Sequence, residues 1–153
     1  MGVNRPLERG RAVDILLVEP NPDDAKLLAE AIEGGAVSST IHVVCDGDEA
    51  LDLVYQRGDH TESPRPDLVL LNPKLPGASG EDVLSEFKGR SELRHIPVLV
   101  LASSDVDEDV TRAYELHANA YIQKPVGPKE FTHLARSLED FWLETVHLPL
   151  EAG

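Results

Sequence analysis

The sequence predicts an α/β domain in which helices cover both faces of a parallel β-sheet. Five short apolar runs recur along the chain, and segments with apolar residues at helical spacing separate them. Runs that are apolar throughout are typical of strands buried on both faces, which need helices above and below the sheet. The predicted fold is therefore a doubly wound α/β sandwich with right-handed crossovers. The predicted strands are residues 13–19, 40–44, 67–71, 97–101 and 120–123.

The first predicted helix follows the first strand and carries signals for both of its ends. Asn21 is a good N-cap, and Pro22 fits the first helical position. Asp23 and Asp24 complement the positive end of the helix dipole, and the glycines at 34–35 can close the helix.

The other four helices are predicted from the same alternation of patterns. Ser104 followed by Asp107 resembles a capping box and predicts the start of the fourth helix. The last predicted helix is the longest and closes the chain. The predicted ranges are residues 48–57, 79–88, 104–117 and 128–148.

Length and composition indicate one globular domain. A chain of 153 residues can bury a single apolar core, and 41% hydrophobic with 27% charged residues is ordinary for a folded protein. We expect residues 12–148 to form this domain, with residues 1–11 as a flexible lead-in and residues 149–153 as a tail.

Charge and cysteine content argue against several classes of protein. A formal net charge of −14 argues against a nucleic-acid surface, since phosphate binding needs a concentrated positive field. Cys45 is the single cysteine, so no intrachain disulfide can form and a reducing compartment is expected. The sequence lacks the long apolar stretch of a membrane span and the apolar core of a signal peptide. We therefore expect a cytoplasmic protein that contacts no membrane.

The residues that follow the strands are the candidates for a functional site. In doubly wound sheets, ligands bind outside the carboxyl ends of the strands, near the point where strand order reverses. The third apolar run ends in a carboxamide, Asn72, at a place where a carboxylate would be a nucleophile. The candidate positions are residues 19–21, 72–74, 102–104 and 124–125.

Several stretches at these positions resemble the receiver domain of two-component response regulators. They are ILLVEPNPDDA, PRPDLVLLNPKLPGASGEDVL, LRHIPVLVLASSD and AYELHANAYIQKPV, in the order and spacing of that family. The resemblance covers about residues 13–146 and is to stand-alone receivers of the type encoded with bacterial and cyanobacterial phytochromes. It implies a flavodoxin-like (βα)5 sandwich whose five parallel strands have the order 2-1-3-4-5.

The resemblance also implies where the chemistry should lie. Such receivers use an aspartate after strand 3 as phosphoacceptor, two adjacent acids after strand 1 to hold Mg²⁺, a Thr or Ser ending strand 4, a rotating aromatic residue in strand 5, and a Lys before a cis-proline. The phosphoacceptor carboxylate, one of the two acids and the hydroxyl are absent from this chain. The corresponding residues here are Asn72, Glu19 with Pro20, Ala102, Tyr121, and Lys124 with Pro125.

These substitutions predict a degenerate phosphorylation site. The Asn72 carboxamide is neutral and a poor nucleophile, so it should not accept a phosphoryl group. Pro20 offers only a backbone carbonyl where Mg²⁺ would need a carboxylate, and Glu19 with Lys124 sums to about zero charge. We expect Mg²⁺ binding to be weak or absent, and no other cofactor. The residues that could still hold a weakly bound ion are Glu19, Asn21 and Asp23.

The sequence leaves the roles of three further positions open. Lys74 could place its ammonium in the metal position and pair with Glu19. Tyr121 is either a locked form of the family's rotating aromatic or a half-packed residue of an edge strand. Lys124 with Pro125 is either a functional lysine or a backbone device for a tight turn.

The closing helix carries a broader apolar stripe than core packing alone requires. This surplus predicts a twofold interface made by the predicted fourth helix, the fifth strand and the closing helix, as in receivers that this chain resembles. Phe141 and Trp142 are the candidate anchors.

The predicted function is therefore a pseudo-receiver in two-component phosphorelay signalling. It would act by docking to a sensor histidine kinase, with a phytochrome-type kinase as the candidate, and as a homodimer rather than as an enzyme. The alternative is a working phosphoacceptor, with Asn72 deamidated to aspartate or with a relocated site. A hydrolase is disfavoured because no nucleophile elbow is present, and a flavin site because no glycine-rich phosphate loop follows the first strand.

Overall fold

The computed structural model describes residues 12–35, 37–102, 120–123 and 127–141. A parallel sheet with strand order β2-β1-β3-β4-β5 runs through this part of the chain. The predicted parallel α/β architecture is therefore confirmed. The strands are β1 (Val13–Val18), β2 (Ser39–Val44), β3 (Leu68–Leu71), β4 (Val98–Ala102) and β5 (Ala120–Gln123). The helices are α1 (Pro22–Glu33), α2 (Gly47–Val54), α3 (Gly80–Gly89) and α4 (Pro128–Phe141), with a 3₁₀ turn at Gly58–His60.

The predicted end of the second helix is wrong. Helix α2 stops at Val54 instead of residue 57, because Tyr55 leaves helical geometry and Gln56 adopts a φ of 56°. A positive φ is incompatible with a continuing right-handed helix. The other predicted bounds agree with the structure to within one residue where they can be compared. The predicted helix over residues 104–117, the part of the closing helix beyond Phe141, the lead-in 1–11 and the tail 149–153 lie outside the described residues.

Side-chain caps begin the first three helices. The Asn21 side chain caps α1 by accepting hydrogen bonds from two backbone N–H groups, and Asp46 caps α2 through the N–H of Glu49. At α3, Ser79 and Asp82 form a reciprocal capping box. Each cap satisfies donors that a helix cannot satisfy internally. Along the chain, these three helices follow the carboxyl ends of β1, β2 and β3.

Two apolar clusters cover the two faces of the sheet. Alternate residues of β3 illustrate the division, since Val69 and Leu71 face one cluster and Leu68 and Leu70 face the other. The first cluster packs the sheet against α2 and α3, with Phe87 fully buried, and the second packs it against α1 and α4. Burial on both faces explains why the strand sequences are apolar throughout. None of the helices in the described ranges is long and apolar enough to span a bilayer.

Candidate functional site

The polar centre of the site lies where β1 and β3 end side by side. These strands are paired in parallel, with Val18 opposite Leu71, so the residues that follow them are neighbours. Those residues are Glu19 and Asn72, whose exposed fractions are only 3% and 9%. A buried carboxylate is unfavourable unless hydrogen bonds compensate it, so its partners determine what the site can do.

Glu19 receives its described side-chain hydrogen bonds from neutral N–H donors. The Asn72 carboxamide nitrogen Nδ2 lies 3.2 Å from both Oε1 and Oε2 of Glu19. The backbone N–H of Asn21 donates to Oε2 at 3.0 Å. Both oxygens of the carboxylate therefore accept protein donors, and the Asn72 amide bridges the ends of two strands.

The orientation of the Asn72 amide is determined by a second contact. Its oxygen Oδ1 accepts the backbone N–H of Lys74 at 2.9 Å, which forms an Asx-type turn. The backbone N–H of Asn72 donates to the Val18 carbonyl at 3.0 Å. Because a backbone N–H needs an acceptor, the amide oxygen must face Lys74 and the amide nitrogen must face Glu19.

The start of α1 borders this pair. The Asn21 side-chain oxygen accepts from the backbone N–H groups of Asp23 and Asp24 at 2.9 and 3.1 Å. This oxygen is thus used for capping, and Asn21 and Asp23 are both exposed. The predicted trio of Glu19, Asn21 and Asp23 lies in one region of the fold, held by hydrogen bonds among its own members.

The described side chains at this site are short of the oxygens that a divalent cation requires. Mg²⁺ needs several hard oxygens in octahedral array. Here the oxygens of Glu19 face N–H donors, the Asn72 oxygen faces the N–H of Lys74, and position 20 carries no carboxylate. In the described part of the chain, no group of three or more His, Cys, Asp or Glu side chains is arranged to hold a metal ion.

The remaining predicted site residues divide into two groups. Pro20 is half-buried beside Glu19, and Lys74 is exposed and supplies its backbone N–H to Asn72. Ala102 ends β4 and Tyr121 lies in β5 opposite Val100, but their side chains lie outside what the structure describes. The same holds for the side chain of Phe141. Lys124, Pro125 and Trp142 lie wholly outside the described residues.

The direct contact between Glu19 and Asn72 was not among the predicted features. Both residues are predicted at the same edge of the sheet, with lysine ammonium groups as the candidate partners of Glu19. A usable signal was present, because β1 and β3 are adjacent in the strand order implied by the resemblance. A carboxamide that replaces a carboxylate beside another carboxylate turns a repulsive pair into a hydrogen-bonded one.

Comparison with known proteins identifies the class of the molecule. Residues 15–136 match the response regulator receiver domain family. The chain belongs to that family, whose members act in two-component signalling.

Individual relatives extend this result. The chain is 39% identical over 135 residues to the response regulator Rcp1 of Synechocystis sp., a match that spans 88% of this chain and 92% of Rcp1. A crystal structure of Mn²⁺-bound Rcp1 superposes with a TM-score of 0.77 at 38% identity, covering 88% of this chain and 96% of that one. The phosphorylated cyanobacterial phytochrome response regulator RcpA gives a TM-score of 0.79 at 37% identity, with the same coverages.

Proposed function

We propose that this receiver works as a pseudo-receiver, which docks onto signalling partners without being phosphorylated at position 72. The observation that carries the proposal is the bridge from the Asn72 amide to both oxygens of Glu19. This bridge occupies the acid that would otherwise serve a metal, and by resemblance the neutral carboxamide corresponds to the phosphoacceptor of the family. The Asn72 carboxamide itself supplies neither a nucleophilic oxygen nor a positive charge to compensate the phosphoryl group.

Weak or absent Mg²⁺ binding is part of this proposal. The Asn72 amide hydrogens and the Asn21 N–H supply the positive ends that the Glu19 carboxylate needs in a buried site. A lysine ammonium, from Lys74 or Lys124, would complete the neutralisation without a metal. The pocket would then be electrostatically satisfied by protein groups alone.

The proposed partner is a sensor histidine kinase of the phytochrome type. The support for it is the similarity to Rcp1 and to RcpA, a phytochrome response regulator. By resemblance, α1 and the loop after β5 form the docking surface. Homodimerisation through the segment between β4 and β5, strand β5 and helix α4 is proposed with it, with Phe141 and Trp142 as anchors.

The alternative, a working phosphoacceptor, draws support from the Mn²⁺-bound and phosphorylated states of the relatives. Deamidation of Asn72 would be one route to it. Deamidation normally begins with attack of the following backbone nitrogen on the side-chain carbonyl, but Pro73 follows and has no N–H. The burial of Asn72 further limits attack by water. These two features favour an intact carboxamide.

The test is intact-mass spectrometry after incubation with acetyl phosphate and Mg²⁺. We expect no phosphoryl adduct on this protein, and we expect binding to a phytochrome-type histidine kinase that does not change when the phosphodonor is added. A relative with an aspartate at the equivalent place serves as the positive control. A stoichiometric adduct at residue 72, or kinase binding that requires the phosphodonor, would overturn the proposal.

A further inference from the structure

Two side chains of α4, one turn apart, bind the C-terminal end of α1 and the loop that follows it. The guanidinium Nη2 of Arg136 donates to the Ala31 carbonyl in the last turn of α1. The Glu139 carboxylate oxygen Oε2 accepts the backbone N–H of Val37, in the loop from α1 to β2, at 3.0 Å. The two side chains also face each other, with Arg136 Nε 3.5 Å from Glu139 Oε1.

Gly35 provides the space for this arrangement. A Cβ added at Gly35 would overlap Oε2 of Glu139 and would lie 2.7 Å from its Cδ and 3.0 Å from Arg136 Nη2. The backbone of Gly35 is outside the left-handed region, so any residue could adopt its conformation. The obstacle to a side chain is therefore the Arg136–Glu139 pair itself.

Apolar packing is incomplete beside the pair. A cavity of about 20 Å³, room for roughly one water molecule, lies between the end of α4 and the sheet. Glu139 and Leu138 line it together with Val13 and Ser39, whose hydroxyl oxygen is buried without a hydrogen-bond partner among the described residues. Ala135 and Leu138 still pack against the sheet beside this cavity, and the polar contacts to α1 and its loop add to that packing.

We propose that Arg136 and Glu139 are positioning residues that couple α4 to α1. Gly35, which has no side chain, leaves the space that these two side chains occupy. A displacement of α4 that keeps the contacts to Ala31 and Val37 moves the end of α1 and the loop before β2 with it. The consequence for signalling rests on the proposed function, in which α1 docks the kinase and α4 contributes to the dimer. A partner that moves α4 would then change how α1 is presented.

A double-mutant cycle between Gly35 and Glu139 tests the coupling. Gly35→Ala alone and Glu139→Ala alone should each accelerate hydrogen exchange of the Val37 amide by about tenfold or more, because the first displaces its acceptor and the second removes it. Gly35→Ala should have little further effect in the Glu139→Ala background, since the obstructing carboxylate has gone. Additive effects in the double variant would show that Gly35 does not act by leaving space for Glu139. Unchanged Val37 exchange in both single variants would overturn the coupling.

Matched controls separate the coupling from general destabilisation. Asp140→Ala changes an exposed acid on the same helix, and Gly89→Ala adds a Cβ where nothing lies within 4 Å. Neither should alter Val37 exchange, and exchange of the β3 amides should stay unchanged in all variants. Glu139→Gln keeps an acceptor for Val37 but loses the charge that faces Arg136, so its effect should be intermediate.

Kinase binding by the same variants distinguishes the two proposals. If Glu139→Ala shifts the α1 amide resonances and weakens kinase binding several-fold, both stand. If the α1 resonances shift but kinase binding by the wild type cannot be detected, the proposed function fails and the coupling stands. If the α1 resonances do not shift, the coupling fails whatever the kinase does.

Discussion

The Asn72 carboxamide donates to both carboxylate oxygens of Glu19, at 3.2 Å to each. This contact joins the carboxyl ends of β1 and β3, at the edge of the sheet where the proposed site lies. An aspartate at position 72 would instead set two buried carboxylates against each other, which requires a proton or a cation between them. Compared with an aspartate, the carboxamide carries one negative charge less at this edge, which is why the proposed function includes weak or absent metal binding.

Asn72→Asp is expected to create a metal-dependent protein. Without a divalent ion the variant should be less stable than the wild type by roughly 1–3 kcal/mol, because a buried hydrogen-bonded pair becomes a pair of like charges. Mg²⁺ should raise the melting temperature of the variant by mass action and leave that of the wild type unchanged. Thermal unfolding with and without millimolar Mg²⁺ measures both effects.

Asn72→Ala is the control for this experiment, because it removes the amide without adding a carboxylate. It should lose stability but show no response to Mg²⁺. Equal Mg²⁺ responses of the wild type and of Asn72→Asp would show that the pocket binds a divalent ion with the carboxamide in place.

Glu19→Ala is expected to destabilise the protein through unsatisfied donors. The substitution leaves the amide hydrogens of the buried Asn72 and the part-buried N–H of Asn21 without this acceptor. The free energy of unfolding in urea should fall by about 1–3 kcal/mol. Glu30→Ala, on the exposed face of α1, should change it by less than about 0.5 kcal/mol. Similar losses for the two variants would mean that the Glu19 contacts are not stabilising.

Asn21→Ala tests the cap that borders the site. Asn21 Oδ1 accepts two backbone N–H groups of the first turn of α1, so its removal should cost about 1 kcal/mol of unfolding free energy. Asn21→Ser keeps a capping oxygen and should retain most of the stability. Urea denaturation of the two variants compares them directly, and a loss as large for Ser as for Ala would contradict a capping role.

Much of the fold follows from local sequence, because its determinants are local. Asn21 with Pro22 predicts the start of α1, and the uninterrupted apolar residues of β3 predict a strand buried on both faces. The end of α2 was missed because the residues around Tyr55 are compatible with a helix. The positive φ of Gln56 ends the helix there and turns the chain toward the 3₁₀ segment.

The site was predictable in location and less so in its contacts. Placing Glu19 and Asn72 at one edge needs only the strand order, but the bridge between them depends on side-chain torsions and on the Lys74 N–H that orients the amide. Glu139 and Val37 are 102 residues apart in the sequence, and no local sequence pattern predicts their contact. Long-range polar pairs of this kind become visible only in three dimensions.

Tyr55 and Glu86 provide a pH-dependent link between α2 and α3. The Tyr55 hydroxyl donates to Glu86 Oε1, the guanidinium of Arg57 lies 5.2 Å from the centre of the Tyr55 ring, and Arg90 Nε lies 3.4 Å from Glu86 Oε1. Burial raises the pKa of Tyr55, with a further contribution from the hydrogen bond to Glu86. The same hydrogen bond is the main cause that lowers the pKa of Glu86.

The raised pKa of Tyr55 and the lowered pKa of Glu86 define the pH range over which this link stabilises the fold. The folded state holds the Tyr55 proton more tightly than the unfolded state, so its contribution is present below the unfolded pKa of about 10 and is lost as pH rises further. Glu86 is more acidic in the folded state, so its contribution is present above the unfolded pKa of about 4.3 and is lost as pH falls further. Tyr55→Phe should therefore lower stability near pH 7, and the deficit should shrink toward both extremes.

Urea denaturation of the wild type and of Tyr55→Phe across this range measures the deficit. The absorbance of tyrosinate gives an independent reading, since the Tyr55 component, isolated by difference from the variant, should titrate above pH 10. Thr61→Ala, near the 3₁₀ turn and exposed, is the control and should show no such profile. A stability deficit of Tyr55→Phe that is constant with pH would assign the effect to lost packing and would exclude the hydrogen bond as its cause.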